Sequence, residues 1–171
     1  MRIAEHMAIV QGRAGRRNLM FGFFAAGVVA WGSVLGRLAT EPNLAPWYEG
    51  LAKPWFNPPN VVFGPVWAGL YLLAAFAFWR VLCLSGRTLG RGRAIGVFLA
   101  MLALNVLWSF LFFAARNPLL GLADIVPQWL MIIATIALFS PLDRLAAACL
   151  APLALWVAFA GLLNFEIWRL N

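Results

Sequence analysis

The sequence predicts an all-α integral membrane protein, built as a bundle of five transmembrane helices. Of its 171 residues, 64% are hydrophobic and 11% are charged, and the mean hydropathy is +0.85. Soluble domains carry about 25% charged residues, so this composition excludes an ordinary soluble protein. Five apolar stretches approach the length of about 20 residues that a helix needs to cross a bilayer. They lie near residues 19–39, 61–84, 94–115, 119–139 and 145–168.

A basic tail, residues 1–18, precedes the first span. It contains Arg2, Arg13, Arg16 and Arg17 and lacks the apolar core of a secretory signal. Further basic residues on the same side of the membrane are Arg87, Arg91, Arg93 and Arg144. The opposite side carries Arg37, Lys53, Arg116 and Arg169. Because cytoplasmic loops are enriched in Lys and Arg, we expect a cytoplasmic amino terminus.

The segment from 40 to 60 is predicted to be an ordered loop. Pro46, Pro54, Pro58 and Pro59 remove backbone donors and restrict the residues before them, so one continuous helix cannot run through it. Its aromatic residues are Trp47, Tyr48, Trp55 and Phe56. Such rings occur where a membrane meets water and where flat ligands stack. We therefore expect this loop to cover one end of the bundle.

Two spans carry small residues at four-residue spacing, a pattern that lets helices approach closely. The first span has Gly32 and Gly36, and the third has Gly92, Gly96 and Ala100. One of these faces is expected to pack inside the bundle and the other to meet a second copy of the chain. We therefore expect a homodimer formed through the third span.

Polar side chains inside the spans are candidates for a functional role, because they are costly in lipid. Asp124 and Gln128 share a face of the fourth span, and Pro127 between them weakens the local hydrogen bonding. They form either an internal hydrogen-bonded pair or a polar patch that lines a cavity. Asn105 lies mid-way along the third span, with Trp108 one turn later. Its amide needs a partner across the bundle or on a ligand.

Aromatic residues also recur at helical spacing. Trp67 and Tyr71 share a face of the second span, and Trp156, Ala160 and Leu163 share a face of the fifth. Such stripes are more often core packing than ligand-binding surfaces. Against that interpretation stands the number of tryptophans, nine, several of which lie too deep for a belt at the membrane interface.

Signatures of enzymes and metal sites are absent from the sequence. The one histidine, His6, lies in the tail, and Cys83 and Cys149 are too far apart for a metal motif. Paired carboxylates and phosphate-binding glycine loops are missing as well. The net charge of +7 comes from arginines in the tail and loops, which indicates a membrane surface and not nucleic acid. We therefore expect no catalytic residue, no metal and no required cofactor.

Several ordered blocks resemble the TspO family of translocator proteins, also called tryptophan-rich sensory proteins. The resemblance extends over residues 20–171. Its blocks are Trp47-Tyr48, Lys53-Pro54, Asn57-Pro58-Pro59, Gly64-Pro65-Val66-Trp67, Leu104-Asn105-Val106-Leu107-Trp108 and Trp156-Val157-Ala158-Phe159-Ala160. Phe165 stands where a proposed cholesterol motif of the family has tyrosine, so a sterol is not an expected ligand.

The resemblance implies a five-helix bundle, usually dimeric, with a ligand pocket beneath the first loop. The implied ligands are porphyrins such as protoporphyrin IX and other hydrophobic small molecules. By position, the candidate ligand-binding residues are Trp47, Tyr48, Trp67, Tyr71, Asn105, Trp108, Asp124, Trp156, Ala160 and Leu163. The propionates of a porphyrin are expected to face the loop, where Lys53 and Arg37 are near in sequence.

The function expected from this resemblance is a membrane receptor or carrier for tetrapyrroles, with a transport or regulatory role, in a bacterial cell membrane. Two alternatives are open. The first is light- and oxygen-dependent breakdown of a porphyrin, with Trp156 or Trp67 as the redox partner. The second is a signalling protein that acts through a partner, with ligand occupancy read out by the loop or the tail.

Overall fold

The computed structural model describes the backbone of residues 2–171 and the side chains of residues 15–171. The predicted fold class is confirmed: the described chain is helical, without strands, and has five helical segments long and apolar enough to cross a membrane. The helices are α1 (Arg2–Thr40), α2 (Asn60–Cys83), α3 (Arg91–Ser109), α4 (Pro118–Phe139), α5 (Arg144–Cys149) and α6 (Ala151–Leu170). The side chains of residues 1–14, with His6 and most of the predicted basic tail, lie outside the described part.

Three of the spans are not single regular helices. The first span, Gly15–Tyr48, continues from α1 through a 3-10 turn, Glu41–Asn43, and a π-helical turn, Leu44–Tyr48. α5 and α6 together form the fifth span, Arg144–Leu170. They meet at Leu150, where the following Pro152 cannot donate a backbone hydrogen bond. α3 continues into a π-helical turn, Phe110–Ala114, which completes the third span.

Capping side chains and one glycine fix where three helices begin. Asn117 accepts hydrogen bonds from two backbone N–H groups at the start of α4, at 3.0 and 3.1 Å. Asp143 does the same at the start of α5, with both distances 3.0 Å. Gly90 precedes α3 with φ +81°, a backbone conformation that favours glycine.

The five spans close into a ring. α1 packs between α2 and α3, α3 packs against α4, α4 against α6, and α2 against α5. The small residues of the first span serve this packing: a Cβ at Gly22 would lie 3.5 Å from Trp79, and one at Gly32 would lie 3.3 Å from Leu102. Of the two predicted small-residue faces, the one on the first span therefore packs inside the bundle.

Stacked aromatic rings fill one end of this ring of helices. Phe98 of α3 lies between Phe78 of α2 and Phe139 of α4, with ring centroids 4.4 and 5.9 Å apart. All three side chains are fully buried. They lie near the α2–α3 and α4–α5 connections, at the end of the bundle away from the first loop. This stack closes one end of the bundle, while a second, smaller buried cluster lies at the end that carries the first loop: Tyr48, Phe112, Phe113, Leu163 and Ile167.

An ion pair ties the filled end together. The Arg80 guanidinium of α2 donates to the Asp143 carboxylate, just before α5, at 2.7 Å. Burial of the carboxyl group favours its neutral form, but the N–H groups of Ala146 and Leu145 and the Arg80 guanidinium hold the pKa of Asp143 below its usual value. The same carboxylate therefore caps α5 and links it to α2.

We predict that Asp143→Asn lowers the free energy of unfolding by about 1 kcal/mol, because it removes the ion pair and keeps the helix cap. Asp143→Ala removes both and costs about 1 kcal/mol more. Since the folded-state pKa is lowered, the stabilisation by the ion pair is complete at neutral pH and is lost as the pH falls below about 4. Thermal unfolding in detergent, from neutral to acid pH, measures both effects.

The control for this experiment is Glu166→Gln, which breaks a pair with Arg169 that lies within the last turns of α6. Its unfolding midpoint should stay close to that of the wild type, because exposed pairs contribute little. Equal midpoints for the wild type and both Asp143 variants at neutral pH would contradict the role assigned to this carboxylate.

Candidate ligand-binding site

The loop after α1, residues 41–59 and hereafter the lid, is held to the bundle by its aromatic residues. Trp47 meets Phe112 and Phe113 edge to face, with ring centroids 5.6 and 6.3 Å apart. Tyr48 is buried against the same two rings. Aromatic pairs of this kind contribute about 0.5–1.5 kcal/mol each beyond the area that they bury. The lid is therefore docked firmly over the end of α3.

Hydrogen bonds tie the lid to two other parts of the chain. The Asn171 side chain accepts from the N–H of Ala52 at 3.0 Å and donates to its carbonyl oxygen at 3.1 Å. The Arg116 guanidinium, in the α3–α4 connection, donates to Asn43 Oδ1 at 3.1 Å. The lid is thus joined both to the end of α6 and to the connection between α3 and α4.

Lys53 stabilises the lid itself. Its ammonium group donates to the carbonyl oxygens of Glu49 and Leu51 at 3.1 and 3.0 Å, and it lies 4.7 Å from the centre of the Tyr48 ring. It is not among the residues that line the cavity described next. The structure therefore gives Lys53 a role in the lid and does not place it facing a ligand.

A cavity of about 650 Å³ lies beneath the lid and is bordered by α1, α2, α3 and α6. This volume is within the range of small-molecule sites, about 300–1,000 Å³. Its wall is mainly apolar. Eight of the ten candidate residues line it: Tyr48, Trp67, Tyr71, Asn105, Trp108, Trp156, Ala160 and Leu163. Residues selected from separate spans thus meet at one place.

Hydrogen bonds fix the orientation of two rings in the wall. The Tyr71 hydroxyl of α2 donates to Asn105 Oδ1 of α3 at 2.6 Å. The Trp108 indole N–H donates to Asn164 Oδ1 of α6 at 3.1 Å, and Asn164 Nδ2 donates to the Pro118 carbonyl at 2.7 Å. The mid-span amide of Asn105 therefore has a partner across the bundle, one of the two expectations for it.

The indole N–H of Trp156 is a buried donor that finds no acceptor in the part of the chain that the structure describes. Trp156 lines the cavity, and its ring packs against Phe63 and Phe159 with centroids 5.8 and 5.6 Å apart. An unpaired buried donor costs about 1–3 kcal/mol. A ligand that presents an oxygen or nitrogen acceptor here would remove this cost.

Several polar residues outside the predicted set also line the cavity, among them Asn164, Ser33 and Thr40. Asn164 lies one turn after Ala160 on α6, and Ser33 and Thr40 lie two turns apart on α1. Asn164, like Asn105, is an amide inside an apolar span, and this sequence feature could have identified it as a candidate. Ser33 and Thr40 give no comparable signal, because small hydroxyl side chains are common in membrane helices.

Two candidate residues lie outside the cavity wall. Trp47 packs within the lid contacts described above, and Asp124 lies on α4, which does not border the cavity. Asp124 and Gln128 are both buried, and the Oδ2 and Oε1 atoms of this pair have no hydrogen-bond partner among the described residues. The structure therefore supports neither interpretation of the pair, an internal hydrogen bond or a polar patch in a cavity.

The wall is suited to binding more than to catalysis. Among the described residues, its ionisable side chains are Arg37, Glu41, Tyr48 and Tyr71. Arg37 donates to Glu41 at 3.0 Å at the rim, so the two charges partly neutralise each other. Within residues 15–171 no three His, Cys, Asp or Glu side chains are grouped to hold a metal ion. The arrangement can hold a flat apolar molecule that carries hydrogen-bond acceptors.

A five-span ring with an aromatic cavity under an ordered lid agrees with the resemblance found in the sequence. The model of the TspO/MBR family matches residues 24–169. This chain belongs to the TspO/MBR family. As a member with five apolar spans, it is a multi-pass membrane protein.

Relatives from distant organisms align over most of the chain. The Tryptophan-rich sensory protein of Cereibacter sphaeroides is 40% identical over 73% of this chain and 77% of its own length. Tryptophan-rich protein TspO of Archaeoglobus fulgidus is 38% identical over 80% and 87%. The Translocator protein of Homo sapiens is 36% identical over 73% and 75%. The shared region in each case is most of this TspO family domain.

We predict that Asp124→Asn raises the free energy of unfolding by about 1 kcal/mol, because a neutral amide is cheaper to bury than a carboxyl group with an unpartnered oxygen. It also brings N–H donors close to Gln128. Gln128→Glu is the matched variant and should lower the unfolding midpoint, because it adds a second carboxyl group to the same buried face. Thermal unfolding in one detergent measures both. A lower midpoint for Asp124→Asn would show that the carboxyl group has a partner in the folded protein.

Proposed function

We propose that this protein is a membrane receptor or carrier that binds tetrapyrroles of the protoporphyrin IX type in the cavity beneath the lid. Membership of the TspO/MBR family supports a receptor or transport role in the membrane. The names of its relatives, sensory protein and translocator protein, point in the same direction. The tetrapyrrole is inferred from the shape and chemistry of the cavity together with the resemblance.

The observation that carries this proposal is the concentration of aromatic rings around one cavity. Trp67 and Tyr71 lie side by side on α2, with centroids 5.5 Å apart and ring planes tilted by 31°. Trp108 and Trp156 enter the same wall from α3 and α6. Flat conjugated molecules stack favourably on such rings. A macrocycle would be held between faces contributed by three helices.

Polar groups in and around the cavity suit the acceptors of such a ligand. The unpaired Trp156 N–H can donate to a ring nitrogen or a carbonyl oxygen. Arg37 lines the rim, and 71% of its side chain is exposed. Its guanidinium can pair with a propionate, because arginine binds carboxylates through two donors. Arg37, and not Lys53, is the basic residue that we assign to the ligand carboxylates.

We predict that protoporphyrin IX, added in the dark to the detergent-purified protein, quenches tryptophan fluorescence with saturable, near-stoichiometric binding. The double variant Trp156→Phe, Asn105→Ala should bind about tenfold more weakly, because it loses a donor and a supporting amide in the wall. The control is Trp31→Phe, which also removes one indole but at a side chain that is 66% exposed on α1 and does not line the cavity.

Two outcomes would contradict the proposal. Linear quenching without saturation, identical in all three proteins, would mean that the pigment only partitions into the micelle. Saturable binding that Trp31→Phe weakens as much as the double variant would place the pigment on the outer surface of the bundle. In either case a partner-dependent regulatory role becomes the better interpretation.

We further propose that the protein lies in a bacterial cell membrane with the start of α1 on the cytoplasmic side. The filled end of the bundle carries Arg16, Arg17, Arg87, Arg91, Arg93 and Arg144. The lid end carries Arg37, Lys53, Arg116 and Arg169. The excess of basic residues at the filled end supports this orientation. The lid and the rim of the cavity would then face away from the cytoplasm.

We also propose that two copies associate through α3. Gly92, Gly96 and Ala100 are exposed on its outer face, and a Cβ at either glycine would meet nothing within 4 Å. Phe98 and Met101 of the same helix point inward and are buried. A flat outer surface of this kind lets the backbones of two helices approach closely.

We predict that Gly96→Leu converts the dimer to a monomer in mild detergent and leaves the unfolding midpoint nearly unchanged, because the added side chain meets no atom of its own chain. Gly27→Leu is the matched control, since Gly27 is also exposed and open but lies on α1. Light scattering after size-exclusion chromatography measures the mass. Only monomer in the unmodified protein, or only dimer in Gly96→Leu, would exclude this interface.

A further inference from the structure

The two helices that border the cavity on one side separate towards the lid. Near the filled end, α1 and α2 are in close contact: the Trp79 indole donates to the Asn18 carbonyl at 2.9 Å, and a Cβ at Gly22 would lie 3.5 Å from the same indole. Near the lid, α1 packs against α3 instead, since a Cβ at Gly36 would lie 3.3 Å from Ser109. α1 therefore leans away from α2 at the lid end.

Residues on both sides of this gap line the cavity and are solvent-accessible. Gly64 and Ala68 of α2 line the cavity, and both are exposed. Arg37 and Glu41 line it from the α1 side and are exposed too. A Cβ at Gly64 would meet no atom within 4 Å. If α1 and α2 were packed together here, these residues would be buried between them.

The gap opens at membrane depth. α2 begins at Asn60, so Gly64 and Ala68 lie about 6 and 12 Å into the helix at a rise of about 1.5 Å per residue. This part of α2 belongs to an apolar span. Arg37 lies in the last turn of α1, and Glu41 follows that helix directly. The gap therefore runs along an apolar part of α2 and carries its charges at the lid end of the span.

The lid covers the cavity at one end of the bundle. Trp47 and Tyr48 are packed on Phe112 and Phe113, and the Asn171 side chain holds both backbone groups of Ala52. A ligand that enters beneath the lid must break these contacts. A ligand dissolved in the bilayer meets no such barrier at the gap between α1 and α2.

The geometry points to a lateral portal between α1 and α2, through which hydrophobic molecules with an anionic group pass directly between the bilayer and the cavity. The apolar body of the molecule moves past Gly64 and Ala68, while its carboxylate stays at the headgroup level and exchanges with Glu41 as the partner of Arg37. Only the nature of the cargo rests on the proposed function. The portal itself can be tested without a tetrapyrrole.

The test measures how fast a reagent dissolved in the membrane reaches a thiol inside the cavity. Cys83 and Cys149 are replaced by Ala, and Ala160→Cys supplies a reporter thiol on the α6 wall. The protein is reconstituted in phosphatidylcholine vesicles and labelled with pyrene maleimide, which partitions into lipid, or with a sulfonated maleimide, which stays in water. Gly64→Leu and Ala68→Phe each place a bulky side chain in the portal.

The matched control is Gly69→Leu. Gly69 is exposed on α2 and has open space around it, but it does not line the cavity. Asn171→Ala tests entry beneath the lid, because it removes the hydrogen bonds between Asn171 and Ala52 and leaves the portal residues unchanged. Two portal variants at different depths are used so that the result does not depend on the folding of one of them. Their helical content and chromatographic behaviour are checked before labelling.

If the portal is the route, each portal variant slows labelling by pyrene maleimide about tenfold, while Gly69→Leu and Asn171→Ala leave the rate unchanged. The sulfonated reagent should react more slowly than the pyrene reagent in every variant. The proposal is overturned if the portal variants have no effect, if Asn171→Ala alone accelerates labelling, or if the pyrene reagent does not reach the thiol at all. Failure of protoporphyrin binding would overturn the proposed function and would leave this result intact.

Discussion

Lipid offers no hydrogen bonds, and the polar groups of this protein are arranged around that constraint. Backbone groups in the spans are satisfied within helices. The side-chain amides of Asn105 and Asn164 are paired with Tyr71 and Trp108 across the bundle. These pairs join α2, α3 and α6 at the same depth, so the rings of the cavity wall are fixed by the bonds that keep the polar groups satisfied. The positions of the rings in the cavity wall thus follow from a requirement of membrane folding.

The bundle divides into an end that is packed and an end that is open. The stack of Phe78, Phe98 and Phe139 fills the first. Beside the second, the ring of helices is closed by a contact that only glycine allows: a Cβ at Gly121 of α4 would lie 2.8 Å from Asn164 Oδ1 and 2.9 Å from Phe112. α4 therefore supports the cavity wall from behind without entering it. The cavity therefore lies between a packed end and a wall that α4 supports from behind.

Much of this arrangement could be predicted from the sequence, because length and hydropathy locate spans and helical spacing groups residues on faces. Spacing placed Trp67 with Tyr71 and Trp156 with Ala160 on shared faces, the family resemblance assigned those faces to a cavity, and the structure has all four residues in its wall. Helical spacing does not determine which neighbouring helix a given face packs against. Asp124 illustrates the limit, since its face of α4 packs against other helices and not on the cavity. Lys53 shows a second limit of sequence-based prediction. The carbonyl groups that its ammonium contacts depend on the path of an irregular loop, which the sequence does not give.

The side chain of Asn171 couples the lid to α6. Besides holding Ala52, its Nδ2 donates to the Ile167 carbonyl at 2.7 Å, in a turn of α6 that borders the cavity. A displacement of α6 by a molecule in the cavity would therefore be transmitted to the lid. In the same way, a displacement of the lid would be transmitted to Trp156 and Ala160 on α6. The hydrogen bonds of one terminal side chain thus couple the buried wall of the cavity to the loop that covers it.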